Sequence, residues 1–283
     1  MKAIVVGSGA LADALKPAVS RSRAELAGAF ESASDPGIGE CSADVALLCA
    51  SDIGAAIRLA DLGLDVAAPC PIAADLGDAE RLHAAFRARG RRLMPLFFDR
   101  FSRNVLDISA AIERGAIGAV GVVDMLRVCP ELPDGGSAMR LLLPALDTAV
   151  RWLGEPVEAT GFRAAKGGTD CAALTARFAG GALLNLQAVY GLYGSAFNFL
   201  YELSGSLGNL RCDAREARPV VFEPEQIEPT DVPPSLLGAA AAAVDALVSE
   251  LASQRPGLPK DALMLARVLD GAFAKGGYSL EAG

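Results

Sequence analysis

The residues best equipped for chemistry in this 283-residue chain stand near its start. Gly7-Ser8-Gly9-Ala10-Leu11-Ala12 follows an apolar run, Lys2–Val6, and opens a stretch with helical spacing. The pattern is G-x-G-x-x-A. In a strand–turn–helix setting the first glycine allows a tight turn and the second lets a phosphate approach the backbone. The small third residue lets helix and strand pack closely. Free N–H groups and the positive end of the helix dipole then face the phosphates. Gly7, Ser8, Gly9, Ala10 and Leu11 are therefore candidate cofactor contacts, joined by Cys49, Ala50 and Ser51 at the end of the third expected strand. Glu31 ends the second, where a carboxylate accepts hydrogen bonds from ribose hydroxyls and disfavours a 2′-phosphate. NAD is expected ahead of NADP. The plainer alternative is a strand–helix turn without nucleotide, with Glu31 merely solvated.

Acid–base groups that work near neutral pH are scarce. The chain has one histidine, His83, and five lysines. His83 sits between Leu82 and Phe86 on an expected helix and reads as structural. None of the six cysteines has CxxC spacing, so with one histidine no metal site is expected. The net charge of −8 gives no basic footprint for nucleic acid and no polybasic patch for a membrane surface. Residues 178–201 carry no charge and are long enough to span a bilayer, but they alternate with period two around Leu184–Val189 and read as strands. With no export signal at the start and unpatterned cysteines, a reducing cytoplasm is the expected compartment.

These residues need a scaffold. Expected strands at 2–6, 25–30, 45–50, 65–68 and 92–94 alternate with helices at 9–19, 52–62 and 73–89, the first stopping near Pro17. Such alternation predicts an α/β fold with a parallel, doubly wound sheet. After about residue 118 the pattern changes. It becomes a strand at 120–128, a turn at Asp134-Gly135-Gly136, a helix at 137–153, and strands at 157–164, 171–178, 182–190 and 197–204. Hairpin succession predicts an antiparallel sheet. A Pro-rich linker at 219–234 precedes helices at 237–251 and 258–273. The expected domains are 1–117 and 118–283, with the final helices free to pack back on the first.

At this point the chain resembles the glucose–fructose oxidoreductase / inositol dehydrogenase / MocA family over most of its length. The Gly7–Ala12 turn carries the resemblance together with residues 42–50, 63–71, Arg100-Phe101, Gly115-Ala116-Ile117-Gly118, Gly135-Gly136, Asp147 and Gly205-Ser206-Leu207-Gly208. It implies a Rossmann domain followed by an α+β domain with an open, mostly antiparallel sheet. It also implies hydride transfer between a nicotinamide and a sugar, cyclitol or related alcohol, and a homodimer or homotetramer assembled through the second sheet.

The departures are specific. The family usually carries Glu-Lys-Pro where this chain has Pro69-Cys70-Pro71, so Cys70 replaces a substrate-binding lysine. The usual Asp-x-x-x-His of the second-domain helix becomes Arg140 and Pro144, while Asp147 is retained. A neutral thiol cannot supply the lost ammonium charge, and proline has no proton to give. Only residues 32–44 separate Glu31 from Val45, too few for the helix and strand the family fits there. The candidate catalytic residues are then Cys70, as a reactive thiol, and Asp147. Candidate substrate contacts are Arg140 for a carboxylate or phosphate, Arg100, and Tyr190 as a proton donor from the sheet. Each has a plainer alternative: a buried inert thiol, a solvated Arg–Asp helix face, a structural salt bridge, a core aromatic. The expected function is an NAD(P)-dependent oxidoreductase acting on a small polar or anionic substrate through a non-standard site. A non-catalytic binding or partner subunit needing no cofactor is the alternative.

Overall fold

The computed structural model describes residues 1–73, 75–129, 138–191, 198–213, 220–222, 236–251, 259–274 and 278–279. The turn at Asp134-Gly135-Gly136 and the linker at 219–234 fall outside them, apart from residues 220–222. The chain divides into two compact units: Met1–Ser102 with Ser235–Ala266, and Arg103–Pro234 with Arg267–Gly283.

The first unit holds five parallel strands, β1 (Lys2–Val6), β2 (Glu25–Phe30), β3 (Val45–Leu48), β4 (Asp65–Pro69) and β5 (Leu93–Leu96), in the order β2-β1-β3-β4-β5. Strand alternation sends side chains to both faces. Ile4, Val6, Ala46, Leu48, Val66 and Ala68 face one core with Ala56 and Leu59 of α3 (Ile53–Asp61) and Leu82 and Phe86 of α4 (Leu76–Ala88). Ala3, Val5, Val45, Leu47 and Ala67 face the other, with Leu15 and Val19 of α1 (Ala10–Arg21) and with Ala240, Val244 and Leu247 of α7 (Leu236–Leu251). The doubly wound sheet is thus closed on its second face by a helix that returns from late in the chain.

One detail of this unit differs from the sequence reading. Helix α1 does not stop near Pro17 but runs on to Arg21. Proline forfeits one backbone bond, while burial of Ala14, Leu15, Ala18 and Val19 holds the helix on the sheet. Residues 31–44 form one short helix, α2 (Gly37–Glu40), and no strand, which leaves β2 at the sheet edge.

The second unit has an eight-stranded sheet in the order β12-β11-β10-β6-β9-β8-β7-β13. Its strands are β6 (Val120–Cys129), β7 (Pro156–Lys166), β8 (Thr169–Phe178), β9 (Leu183–Tyr190), β10 (Asn198–Gly205), β11 (Asn209–Asp213), β12 (Val220–Phe222) and β13 (Tyr278–Ser279). Pairing is antiparallel except between β6 and β9. Helix α6 (Ala138–Leu153) lies against β6, β7, β8 and β9, and α5 (Arg103–Glu113), a helix absent from the periodicity reading, lies against α6. Trp152 Nε1 of α6 donates to Ser109 Oγ of α5 at 2.9 Å. The last helix, α8 (Lys260–Phe273), spans the division between the units.

Candidate functional site

In the first unit the candidate residues gather at the carboxyl ends of adjacent parallel strands, where open α/β sheets bind ligands. Gly7 follows β1 with φ +125°, and its N–H donates to the Phe30 carbonyl at 2.8 Å. A Cβ at Gly7 would come within 2.7 Å of the Cys49 Cβ, so Cys49, just after β3, forms the floor of the turn and admits only glycine above it. Gly9 is the N-cap of α1 with φ +83° and ψ −170°, a backbone region open essentially to glycine. A Cβ at Gly9 would meet nothing within 4 Å. The space above the turn is open, and Gly9 has no side chain to cap the helix, which leaves the first-turn N–H groups of α1 to an incoming anion. Ser8, Gly9 and Ala10 are exposed, and so is Glu31, just beyond β2. The turn fits a dinucleotide pyrophosphate, with Glu31 beside it for a ribose.

The remaining first-unit candidates follow the ends of neighbouring strands. Burial pushes the Cys49 thiol up to about 11, with Lys16 opposing and Asp13 adding, so it is a neutral thiol at pH 7. Ser51 Oγ donates to the Pro69 carbonyl at 3.2 Å, tying the ends of β3 and β4, and the next residue, Asp52, caps α3 by accepting from the Ala55 N–H at 2.9 Å. Ala50 is exposed beside them. Cys70 follows β4, half-buried, with its N–H donating to the Leu96 carbonyl at 3.3 Å. The Arg100 side chain is 14% exposed, lies 4.5 Å over the Phe97 ring and pairs with Asp261 at 3.2 Å. Its charge is directed to α8.

In the second unit the inward face of the sheet changes character along the strands. Leu174, Leu186, Met125 and Tyr201 form one cross-strand row. The next is Ala172, Ala188, Arg127 and Phe199, and the last is Asp170, Tyr190 and Cys129. An apolar core thus gives way to charge and phenol at one end. Arg127 is 4% exposed and donates from Nη1 to the Tyr201 hydroxyl at 3.2 Å, with Ala188 and Phe199 as its cross-strand neighbours. Asp170 is also 4% exposed, and its Oδ2 accepts from the Ala138 N–H at 2.8 Å, the first residue of α6. Arg140 therefore lies in the helical turn that starts at this polar end. Burial, and then the Cys129 thiol, push the Tyr190 phenol above its ordinary value, while Arg140 and Arg127 oppose. Tyr190 is a protonated donor at neutral pH.

The structure brings Arg140 and Tyr190 together. It places Asp147 elsewhere than the spacing suggests: at 2% exposure it does not stand on a solvated helix face with Arg140, which is half-buried. Arg127 and Asp170 were missed. Their signal was a charged residue in the inward register of an otherwise apolar alternation, at 123-125-127 and at 170-172-174-176-178. Among the described residues, no group of three or more His, Cys, Asp or Glu could hold a metal ion, and no helix is long and apolar enough to cross a membrane.

No protein-family model matches the chain, and no curated protein matches its sequence. Solved structures match its fold. An NAD-binding oxidoreductase from Klebsiella pneumoniae is 18% identical with a TM-score of 0.79, covering 96% of each chain. An oxidoreductase from Agrobacterium radiobacter, solved in complex with NAD+, L-tartaric acid and magnesium, is 17% identical with a TM-score of 0.76, covering 96% of this chain and 95% of that one. A myo-inositol 2-dehydrogenase from Lactobacillus plantarum is 14% identical with a TM-score of 0.71, covering 96% of each. The chain carries the fold of these oxidoreductases and dehydrogenases, the fold that its resemblance to the glucose–fructose oxidoreductase / inositol dehydrogenase / MocA family predicted.

Proposed function

We propose that the chain is an NAD(H)-dependent oxidoreductase acting on a small anionic substrate without the usual lysine–histidine chemistry. The observation that carries this reading is the Gly7–Leu11 turn, where both glycines hold positive φ, the space over Gly9 is open, and Glu31 stands at the next strand end. Bound there, the nicotinamide cofactor supplies or accepts hydride. Gly7, Ser8, Gly9, Ala10 and Leu11 hold its phosphates, and Glu31 takes the ribose hydroxyls and turns away a 2′-phosphate.

Arg140 binds a carboxylate or similar anion of the substrate, and Tyr190, held protonated, donates a hydrogen bond or a proton. The Agrobacterium radiobacter neighbour, in complex with NAD+ and the dicarboxylic L-tartaric acid, supports a pairing of this kind. With Cys70 and Pro144 at the family's lysine and histidine positions, reduction of an imine or conjugated double bond asks less of the protein than oxidation of an alcohol. We assign the open face of the second sheet to self-association as a homodimer or homotetramer. Phe162, Ala173, Leu126 and Leu200 lie in one cross-strand row there, with Gln187 between Ala173 and Leu126 as its polar member.

The test is NADH consumption by the purified chain with small carboxylate-bearing imines and enoates, set against NAD+ reduction with the matching alcohols. Consumption with the former and little turnover of the latter is expected. The same substitutions favour a second reading, a nucleotide-binding partner subunit. NADH binding with no turnover of either class would support that one.

A further inference from the structure

We propose that Arg163 and Asp170 form a positioning pair that fixes the first turn of α6, and with it Arg140, for anion binding; this rests on the substrate reading above. Asp170 caps the helix from a different strand, 32 residues away from Ala138. Its carboxylate is in turn gripped by Arg163 of β7, with Nε to Oδ1 at 3.0 Å and Nη2 to Oδ2 at 3.1 Å. One carboxylate therefore satisfies an orphan helix N–H and a bidentate guanidinium together. Because Asp170 pairs directly across the strands with Tyr190, the same contact sets where the helix begins relative to that phenol.

The helix needs such a pin. Pro144 lies within α6 and has no N–H, so the carbonyl of Arg140 four residues earlier receives no bond from it. The turn that carries Arg140 is thus joined to the rest of α6 by one bond fewer than an ordinary turn. Without the Asp170 anchor, that turn gains freedom at the point where an anion must be met by a fixed guanidinium.

The test uses the full chain saturated with NADH and follows malonate binding by titration calorimetry. Arg163, with a side chain 47% exposed, tolerates replacement, and Asp170→Asn keeps an acceptor oxygen for the cap. Arg163→Gln and Asp170→Asn should each weaken malonate about tenfold, comparable to losing one charge-assisted hydrogen bond, with NADH affinity unchanged. Arg163→Lys should weaken it less. Adding Pro144→Ala to Arg163→Gln should restore affinity by returning the missing helix bond, a recovery that a loss of fold would not give. Malonate binding that falls in Arg140→Gln but stays at the wild-type level in Arg163→Gln and Asp170→Asn would overturn the positioning role alone. Failure of the NADH-bound wild type to take malonate would overturn the anionic reading and this proposal with it.

Discussion

The turn after β1 and the first turn of α6 both sit where a strand edge meets a helix start, yet they encode their sites differently. At the first, the binding groups are backbone N–H groups, and the sequence has only to leave room: Gly7 over Cys49, Gly9 with nothing above it. At the second, the cap is supplied by Asp170 from another strand, and on the proposed reading the chemistry depends on the side chains of Arg140 and Tyr190. A backbone-coded site survives sequence change as long as its glycines do. A side-chain-coded site is rewritten by single substitutions on an unchanged scaffold. On the proposed reading, this chain keeps the first and rewrites the second, where Pro144 stands at the family's histidine position.

The largest effect should come from breaking the backbone-coded site. Gly7→Ala forces a side chain into a φ +125° backbone and against Cys49, costing about 1–3 kcal/mol from the backbone alone, which thermal unfolding would register. NADH affinity should fall roughly 100-fold, as when two charge-assisted contacts are lost. Next comes the side-chain-coded site: Arg140→Gln should lower malonate affinity by about 10- to 100-fold while leaving NADH binding intact. Equal losses for both ligands would dissolve the contrast. Glu31→Ala should weaken NADH about tenfold and narrow its advantage over NADPH, read by parallel titrations. The smallest effect belongs to Asp52→Ala. Removing this cap of α3 should cost about 1 kcal/mol of stability and leave both affinities alone, which separates folding from binding at the same strand end.

The difference between the regions also governs what could be read from residues alone. The five parallel strands, the turn and the clipped segment at residues 31–44 were legible, because apolar runs and glycines report local backbone needs. The continuation of α1 through Pro17 was not, since it depends on burial against a sheet. Helix α5 was hidden because its buried positions, Asn104, Val105, Ile108 and Ala111, include a polar residue and only a short apolar stripe. Nothing in the run 236–251 says that it closes the second face of the first sheet against α1. Arg127 and Asp170 needed strand register to become visible as one polar end. Asp147 looked like a solvated helix position by spacing, and tertiary burial overrode that.

The central claim is that cofactor binding is intact on a chain whose substrate chemistry is not the usual one. Its most direct test is calorimetric titration of the purified wild-type chain and of Gly9→Trp with NADH and NADPH. The account predicts saturable NADH binding by the wild type, at least about tenfold tighter than NADPH, and none by Gly9→Trp, whose indole fills the open space above the turn. Absence of binding by the wild type at millimolar cofactor, or undiminished binding by Gly9→Trp, would contradict it.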